Sequence, residues 1–430
     1  MSNFDLVLRL FLQLTVILAV CRVVGWIGTR FFGQTQVVSE MVAGVLLGPS
    51  LFGWLAPEVQ HWLFPIKTTV GGVTMTHPSM SILYVLAQLG LVLYMFIVGL
   101  EFNPEHIKGR AKSAGLISGA GIIVPFALGA ILAFLLRDDA ELFQPGLSAW
   151  GAALFMGASM SITAFPMLAR ILYEKDITNT RLGVVTLAAG SIDDAIAWCL
   201  LALVLASFQQ HPQIAMMAIG GGIAYGAFMV VVGRGWLRGF ERMHLRNTNA
   251  SEEPGVGLFT LLMMVLMLCA WFTDYIGIYA VFGAFILGAC MPKGKFAEVV
   301  IEKSEMVTTS LLLPVFFVYS GLNTQLGLVN TSGLWLLTAV IVIAAIGGKG
   351  LACMLAARVS GESWRNSAIV GTLMNARGLM ELIILNIGLE KKLITPMLFT
   401  MMVMMAVITT LMASPLFQFL YRADEVDLAA

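Results

Sequence analysis

The chain has 430 residues, of which 59% are hydrophobic and 12% charged, with 25 basic side chains against 25 acidic ones. A soluble domain carries roughly a quarter charged residues, so this chain cannot cover a water-facing surface of its size, and a mean hydropathy of +0.89 makes lipid the solvent for most of it. Zero net charge offers nothing to nucleic acid, and no glycine-rich phosphate loop, Cys/His metal spacing or Ser/His/Asp arrangement stands out, so neither an enzyme nor a cofactor is expected.

Windows of about 20 apolar residues predict thirteen membrane spans, at roughly 5–28, 35–54, 80–100, 113–136, 147–170, 182–208, 213–233, 257–275, 276–292, 305–322, 332–357, 366–388 and 395–420. The first run is kept as a span: it lacks the small-residue cleavage site of a leader, and Arg22 sits where a leader's apolar core would end. Only a short turn near Asp274 separates the eighth and ninth spans. Cys21, Cys199, Cys269, Cys290 and Cys353 all fall in or beside apolar stretches and read as small core residues. The loops reach about 20 residues, and a short acidic tail follows Tyr421, so residues 1–430 read as one membrane domain without a soluble regulatory one.

Loop charge checks that count. Loops after odd-numbered spans hold sixteen Lys and Arg and those after even-numbered spans hold four. The positive-inside rule then puts the odd loops and the C-terminus in the cytoplasm and the N-terminus outside, in a multi-pass protein of the cell's inner (plasma) membrane.

The fifth span reads MSITAFPMLARIL, with Pro166 just past Ser161 and Thr163, and the twelfth is interrupted at Asn375, Arg377 and Gly378. Broken helices at membrane depth are tolerated where they line a cavity or pack within protein. If spans 1–6 (about 5–208) and 8–13 (about 257–420) are equivalent inverted units, with 213–233 as a linking span, the fifth corresponds to the twelfth. The expected fold is therefore an all-α polytopic membrane protein of about thirteen helices, with two inverted six-helix repeats and two discontinuous helices.

Five ionisable residues lie deep in these spans: Asp193 and Asp194 in the sixth, Lys349 in the eleventh, and Arg377 and Glu381 in the twelfth. Each costs roughly 2.5–3.5 kcal/mol at a helix centre unless it is paired or wet. Asp193 and Asp194 point about 100° apart on a helix, and two close carboxylates do not both ionise readily without a counter-charge. Lys349, the one lysine deep in any span, is the natural counter-ion. Together these groups can take a cation or protons but not comfortably both, which is the physical core of antiport. Ser159 and Thr163, four apart on one helix face, are candidate cation ligands through hydroxyls or freed carbonyls, against a bland reading in which they bond back to their own helix. Arg377 and Glu381, with Asn375, are read as compensating the dipoles of the half-helices. Glu40 and Asp274 lie near span ends, where hydration at an interface is expected.

The stretches MVAGVLLGPSLFGWL (41–55), LYMFIVGLEF (93–102), SITAFPMLARIL (161–172), AAGSIDDAIAW (188–198), PVFFVYSGL (314–322) and MNARGLMELIILNIGL (374–389) together resemble the monovalent cation:proton antiporter-2 family. That family includes bacterial sodium/proton exchangers, Kef-type potassium transporters and plant cation/proton exchangers. The resemblance implies the sodium/proton antiporter fold: a homodimer with a dimerisation domain and a six-helix core, the fifth and twelfth spans crossing, and an elevator-like movement of the core. It makes Asp194 the main cation- and proton-binding carboxylate, Asp193 the partner exchanged with Lys349, and Thr163 the polar position of the interrupted helix. Two carboxylates with a lysine look like the electrogenic sodium type, exchanging Na⁺ or Li⁺. SITAFP and MNARGLMELIILNIG pull toward the plant-like branch and a K⁺/H⁺ antiporter or Kef-like efflux component. The Kef-type nucleotide-binding domain is missing, so gating of that kind would need a separate regulatory subunit. A channel would need a filter-like motif. An intramembrane aspartyl protease would need carboxylates from two helices, and an organic-anion symporter would need cationic groups at the crossover; none fits as well.

Overall fold

A computed structural model describes residues 3–34, 36–70, 73–101, 111–137, 139, 141–165, 168, 171–172, 177, 180–207, 212–247, 256–276 and 279–421. In chain order its longer helices are α1 (Asn3–Phe32), α2 (Gln36–Leu47), α3 (Pro78–Glu101), α4 (Ala111–Leu136), α5 (Ala149–Ser161), α6 (Arg181–Ser207), α7 (Pro212–Phe228), α8 (Arg234–Asn247), α9 (Val256–Tyr275) and α10 (Ala280–Cys290). There follow α11 (Lys295–Val307), α12 (Leu313–Leu322), α13 (Ser332–Val359), α14 (Trp364–Met374), α15 (Leu379–Glu390) and α16 (Pro396–Leu420). Among the described residues, eight helices are long and apolar enough to cross a membrane.

Sequence places the starts of several helices. Ser148, Thr331, Ser363 and Thr395 each accept the backbone N–H three residues on, satisfying one of the donors a helix N-terminus leaves open. Pro396 follows Thr395 at the first helical position, where its missing N–H costs nothing.

Two readings of helix extent are corrected. The ninth predicted span forms helix only over 11 residues, Ala280–Cys290, about 16 Å at 1.5 Å per residue and roughly half a hydrocarbon core. The basic stretch after the seventh span, read as a loop, continues through a π-helical turn (Met229–Gly233) into α8. Beside the helices there is a small antiparallel hairpin, Lys67–Val70 with Val73–Thr76, in the loop before α3, and the fold remains all-α in class.

The chain divides into two compact units. One takes residues 81–103 and 201–316. Within it Lys293 Nζ donates to the carbonyls of Gly99 (3.1 Å) and Leu100 (2.6 Å), closing the C-terminal end of α3. The other takes residues 1–80, 104–200 and 317–430, and so draws on both halves of the sequence. It holds all five deep ionisable residues.

In this second unit the glycine-rich stretches of α2 and α12 meet at backbone distance. A Cβ on Gly321 would lie 2.1 Å from the Gly44 carbonyl carbon, and one on Gly44 would lie 2.4 Å from the Phe317 carbonyl oxygen. Backbone cannot yield as a side-chain tip can. Gly321→Ala is therefore expected to lower the melting temperature of the detergent-extracted protein, by the equivalent of about 1–3 kcal/mol or more. Gly119→Ala on α4, where a Cβ meets nothing within 4 Å, should leave it unchanged. Equal melting of the two variants would overturn this packing.

Candidate functional site

The two interrupted helices break where they touch. α5 ends at Ser161, and Ile162 is already extended (φ −69°, ψ 137°). α14 ends at Asn375, and α15 begins after Gly378. The breaks are joined by a backbone hydrogen bond in which Ala164 N donates to Ala376 O at 2.9 Å. Pro166, the expected breaker of the fifth span, lies outside the described residues.

A break at membrane depth leaves carbonyls at one half-helix end and N–H groups at the next, with no water to satisfy them. Arg377 answers the end of α5: Nη1 donates to Ser159 O (3.1 Å) and Nη2 to Met160 O (2.7 Å). Lys349 Nζ donates to the next carbonyl, Ser161 O. Two cations thus close the negative end of α5, and Glu381, in the first turn of α15, faces a positive end. Arg377 Nη1 also lies 3.4 Å from Glu381 Oε2, with both side chains fully buried.

Lys349 is placed by two irregularities. It sits in a π-helical turn, Ile346–Leu351, within α13. The neighbouring Gly348 lets this turn approach α4 closely, since a Cβ there would lie 3.3 Å from Pro125 Cα. Pro125 has no N–H, so the Gly121 carbonyl four residues earlier has no intrahelical partner. Lys349 Nζ donates to that freed carbonyl at 2.9 Å and to Asp193 Oδ2 at 2.9 Å. Thr163, in the break after α5, donates its hydroxyl to the same Asp193 oxygen at 2.6 Å.

Asp193, Thr163 and Lys349 therefore form one contact group, fully buried, and Asp194 follows on α6 with no exposed surface. Asp193 Oδ1 is buried and accepts no hydrogen bond among the described residues. Ser159 is close by but turned elsewhere: its hydroxyl donates to Phe155 O at 2.8 Å and its carbonyl receives Arg377. Asn375 caps α14 and is among the residues lining a cavity of about 170 Å³ beside the Lys349 turn. Of the two span-end carboxylates, Asp274 is exposed as expected, but Glu40 is buried and accepts from Gln36 Nε2 at 2.8 Å.

The buried cluster holds three carboxylates and two fixed cations, Lys349 and Arg377. With all five ionised, it carries one formal negative charge in a medium where charge is costly. A proton or a monovalent cation cancels it; both together overshoot. Among the described residues no group of His, Cys, Asp and Glu side chains matches a metal cluster.

Thr410 was not anticipated. Its position in an apolar run of α16, beside Thr409, carries no sequence signal, because threonines in such runs routinely bond back to their own helix.

Residues 15–423 match the family model described as sodium/hydrogen exchanger, transmembrane. The Na⁺/H⁺ antiporter NhaS4 of Synechocystis is 41% identical, over 96% of this chain and 97% of its own. The K⁺/H⁺ antiporter 1 of Saccharomyces cerevisiae is 32% identical over 98% of this chain, which spans about half of that longer protein (47%). The solved structure of the sodium proton antiporter MjNhaP1 from Methanocaldococcus jannaschii covers 96% of each chain with a TM-score of 0.64 at 13% identity, a likeness of fold. On the strength of the matched model and the identity over its whole length, this multi-pass membrane chain belongs to the sodium/hydrogen exchanger family.

Proposed function

We propose that this protein is a secondary antiporter that exchanges Na⁺ or Li⁺ for protons, with Asp194 as the main cation- and proton-binding carboxylate. The carrying observation is the single formal negative charge of the buried cluster at the crossover. Asp193 exchanges its contacts among Lys349, Thr163 and the cation, and Thr163 supplies an oxygen. Ser159 contributes through the end of α5, not through its hydroxyl. Arg377, Glu381 and Asn375 keep the breaks in place, which lets the site move as a body. On this reading transport is electrogenic: besides the proton that cancels the surplus charge, Asp193 takes a second one when it leaves Lys349, so two protons leave for one cation and the cluster's net charge changes by one. The site-bearing unit moves elevator-fashion across a homodimer of the chain in the plasma membrane, with the C-terminus cytoplasmic, as loop charge argues.

A second reading, K⁺/H⁺ exchange, draws on the yeast K⁺/H⁺ relative. Proteoliposomes with an imposed pH gradient separate the two. Na⁺ or Li⁺ should collapse the gradient, and faster when the membrane potential is clamped, since uncompensated charge movement otherwise opposes the exchange. Collapse by K⁺ alone would hand selectivity to the second reading, and no response to any alkali cation would end both.

A further inference from the structure

The break at Arg377 is held by one hydroxyl on a different helix. Thr410, fully buried in α16, accepts the Arg377 backbone N–H at 3.1 Å. Its Oγ1 lies 2.6 Å from the Arg377 carbonyl and 2.6 Å from the carbonyl of Ala406, one turn back on its own helix. A hydroxyl has one proton. It can serve the break or its own helix at any moment, while its lone pair holds the Arg377 N–H in either case. The N–H and the carbonyl on both sides of the guanidinium-bearing residue are thus tied to one atom.

We propose that Thr410 is a positioning residue for cation binding, acting through Arg377. The chain of contact is short. Thr410 fixes the Arg377 backbone, and the Arg377 guanidinium closes the end of α5 at Ser159 and Met160. The next carbonyl, at Ser161, holds Lys349, and two residues on Thr163 donates to Asp193. Loosening the hydroxyl lets the break drift and spreads the oxygen positions of the site. A shared proton between two equidistant acceptors also gives the break a way to slacken without leaving a buried N–H unsatisfied, which costs far more than a shifted donor. The neighbouring Thr409 makes a control, since among the described residues its hydroxyl bonds only to Met405 and Ala406 of its own helix.

The inference rests on the antiport reading, and the test keeps the two apart. In proteoliposomes, Thr410→Val, which keeps the shape and removes the hydroxyl, should raise the apparent KM for the transported cation about tenfold, the scale of one lost hydrogen bond. The maximal rate should stay within about twofold. Thr410→Ser should restore the wild-type KM, and Thr409→Val should not shift it. Should Thr410→Val fail to accumulate, Thr410→Ala carries the same expectation. An active wild type with an unshifted KM in the hydroxyl-free variant overturns the proposal, as does a Thr410→Ser variant as impaired as Thr410→Val. A wild type that exchanges no cation overturns the antiport reading instead.

Discussion

Asp194→Asn is expected to abolish cation-driven collapse of an imposed pH gradient, leaving only the leak of protein-free liposomes. The substitution keeps volume and removes one ionisable oxygen pair from a position without exposed surface. It takes away the surplus negative charge that a cation or proton must cancel, so three carboxylates against two cations become two against two. Nothing remains for a cation to neutralise, and a dehydrated cation has no reason to enter. The same change removes a buried charge, so folding should not suffer: burying an amide costs far less than burying a carboxylate. Normal abundance and a melting temperature at or above that of the wild type are therefore part of the expectation. A fully active Asp194→Asn protein would sink the assignment of this carboxylate.

Lys349→Gln has the opposite signature. Lys349 Nζ reaches Asp193, the carbonyl freed by Pro125 and the Ser161 carbonyl at the end of α5, and it is the cation paired with Asp193, at 2.9 Å. Losing it leaves Asp193 charged and buried, and breaking a buried pair by removing one partner costs about 3–5 kcal/mol. Thermal melting of the extracted protein should fall accordingly, while an added cation still raises it, because binding to the folded state stabilises by mass action. Adding Asp193→Asn to Lys349→Gln should recover much of the loss, since a pair of neutral amides leaves no orphaned charge. Unchanged melting together with unchanged voltage dependence of transport would refute this role for the lysine.

Much of this was legible in the sequence because membrane depth makes a few residues improbable. Charges at a helix centre are costly enough that Asp193, Lys349, Arg377 and Glu381 had to find one another, and the two interruptions had to meet protein instead of lipid. The i,i+4 spacing of Arg377 and Glu381 likewise allowed the contact at 3.4 Å that the structure contains. What it left out was geometry set by backbone. The π-helical turn that aims Lys349 follows from backbone hydrogen bonds, and although Pro125 frees a carbonyl by its residue type, nothing in the sequence says which side chain will reach it. Ser159 was legible only as two alternatives, and the structure takes the back-bonding one for its hydroxyl. Glu40 was read as hydrated because hydropathy measures position along the chain; its partner Gln36 lies one turn away on the same helix. The ninth span was started too early for a related reason: apolar composition does not say where a helix starts, and α10 begins only at Ala280.

The competition at the heart of the account has a direct readout that needs no membrane. The detergent-solubilised protein, in lightly buffered solution near its proton-release range, is titrated with Na⁺, Li⁺ or K⁺ while released protons are followed with a pH dye. A cation that enters the site must displace protons from the carboxylate pair, so release should saturate with the same midpoint as the cation's effect on melting temperature. That midpoint should move to higher cation concentration as the pH is lowered, and Asp194→Asn should release nothing. Saturable cation stabilisation without proton release, or with release unchanged in Asp194→Asn, would contradict a shared cation and proton site at this carboxylate pair.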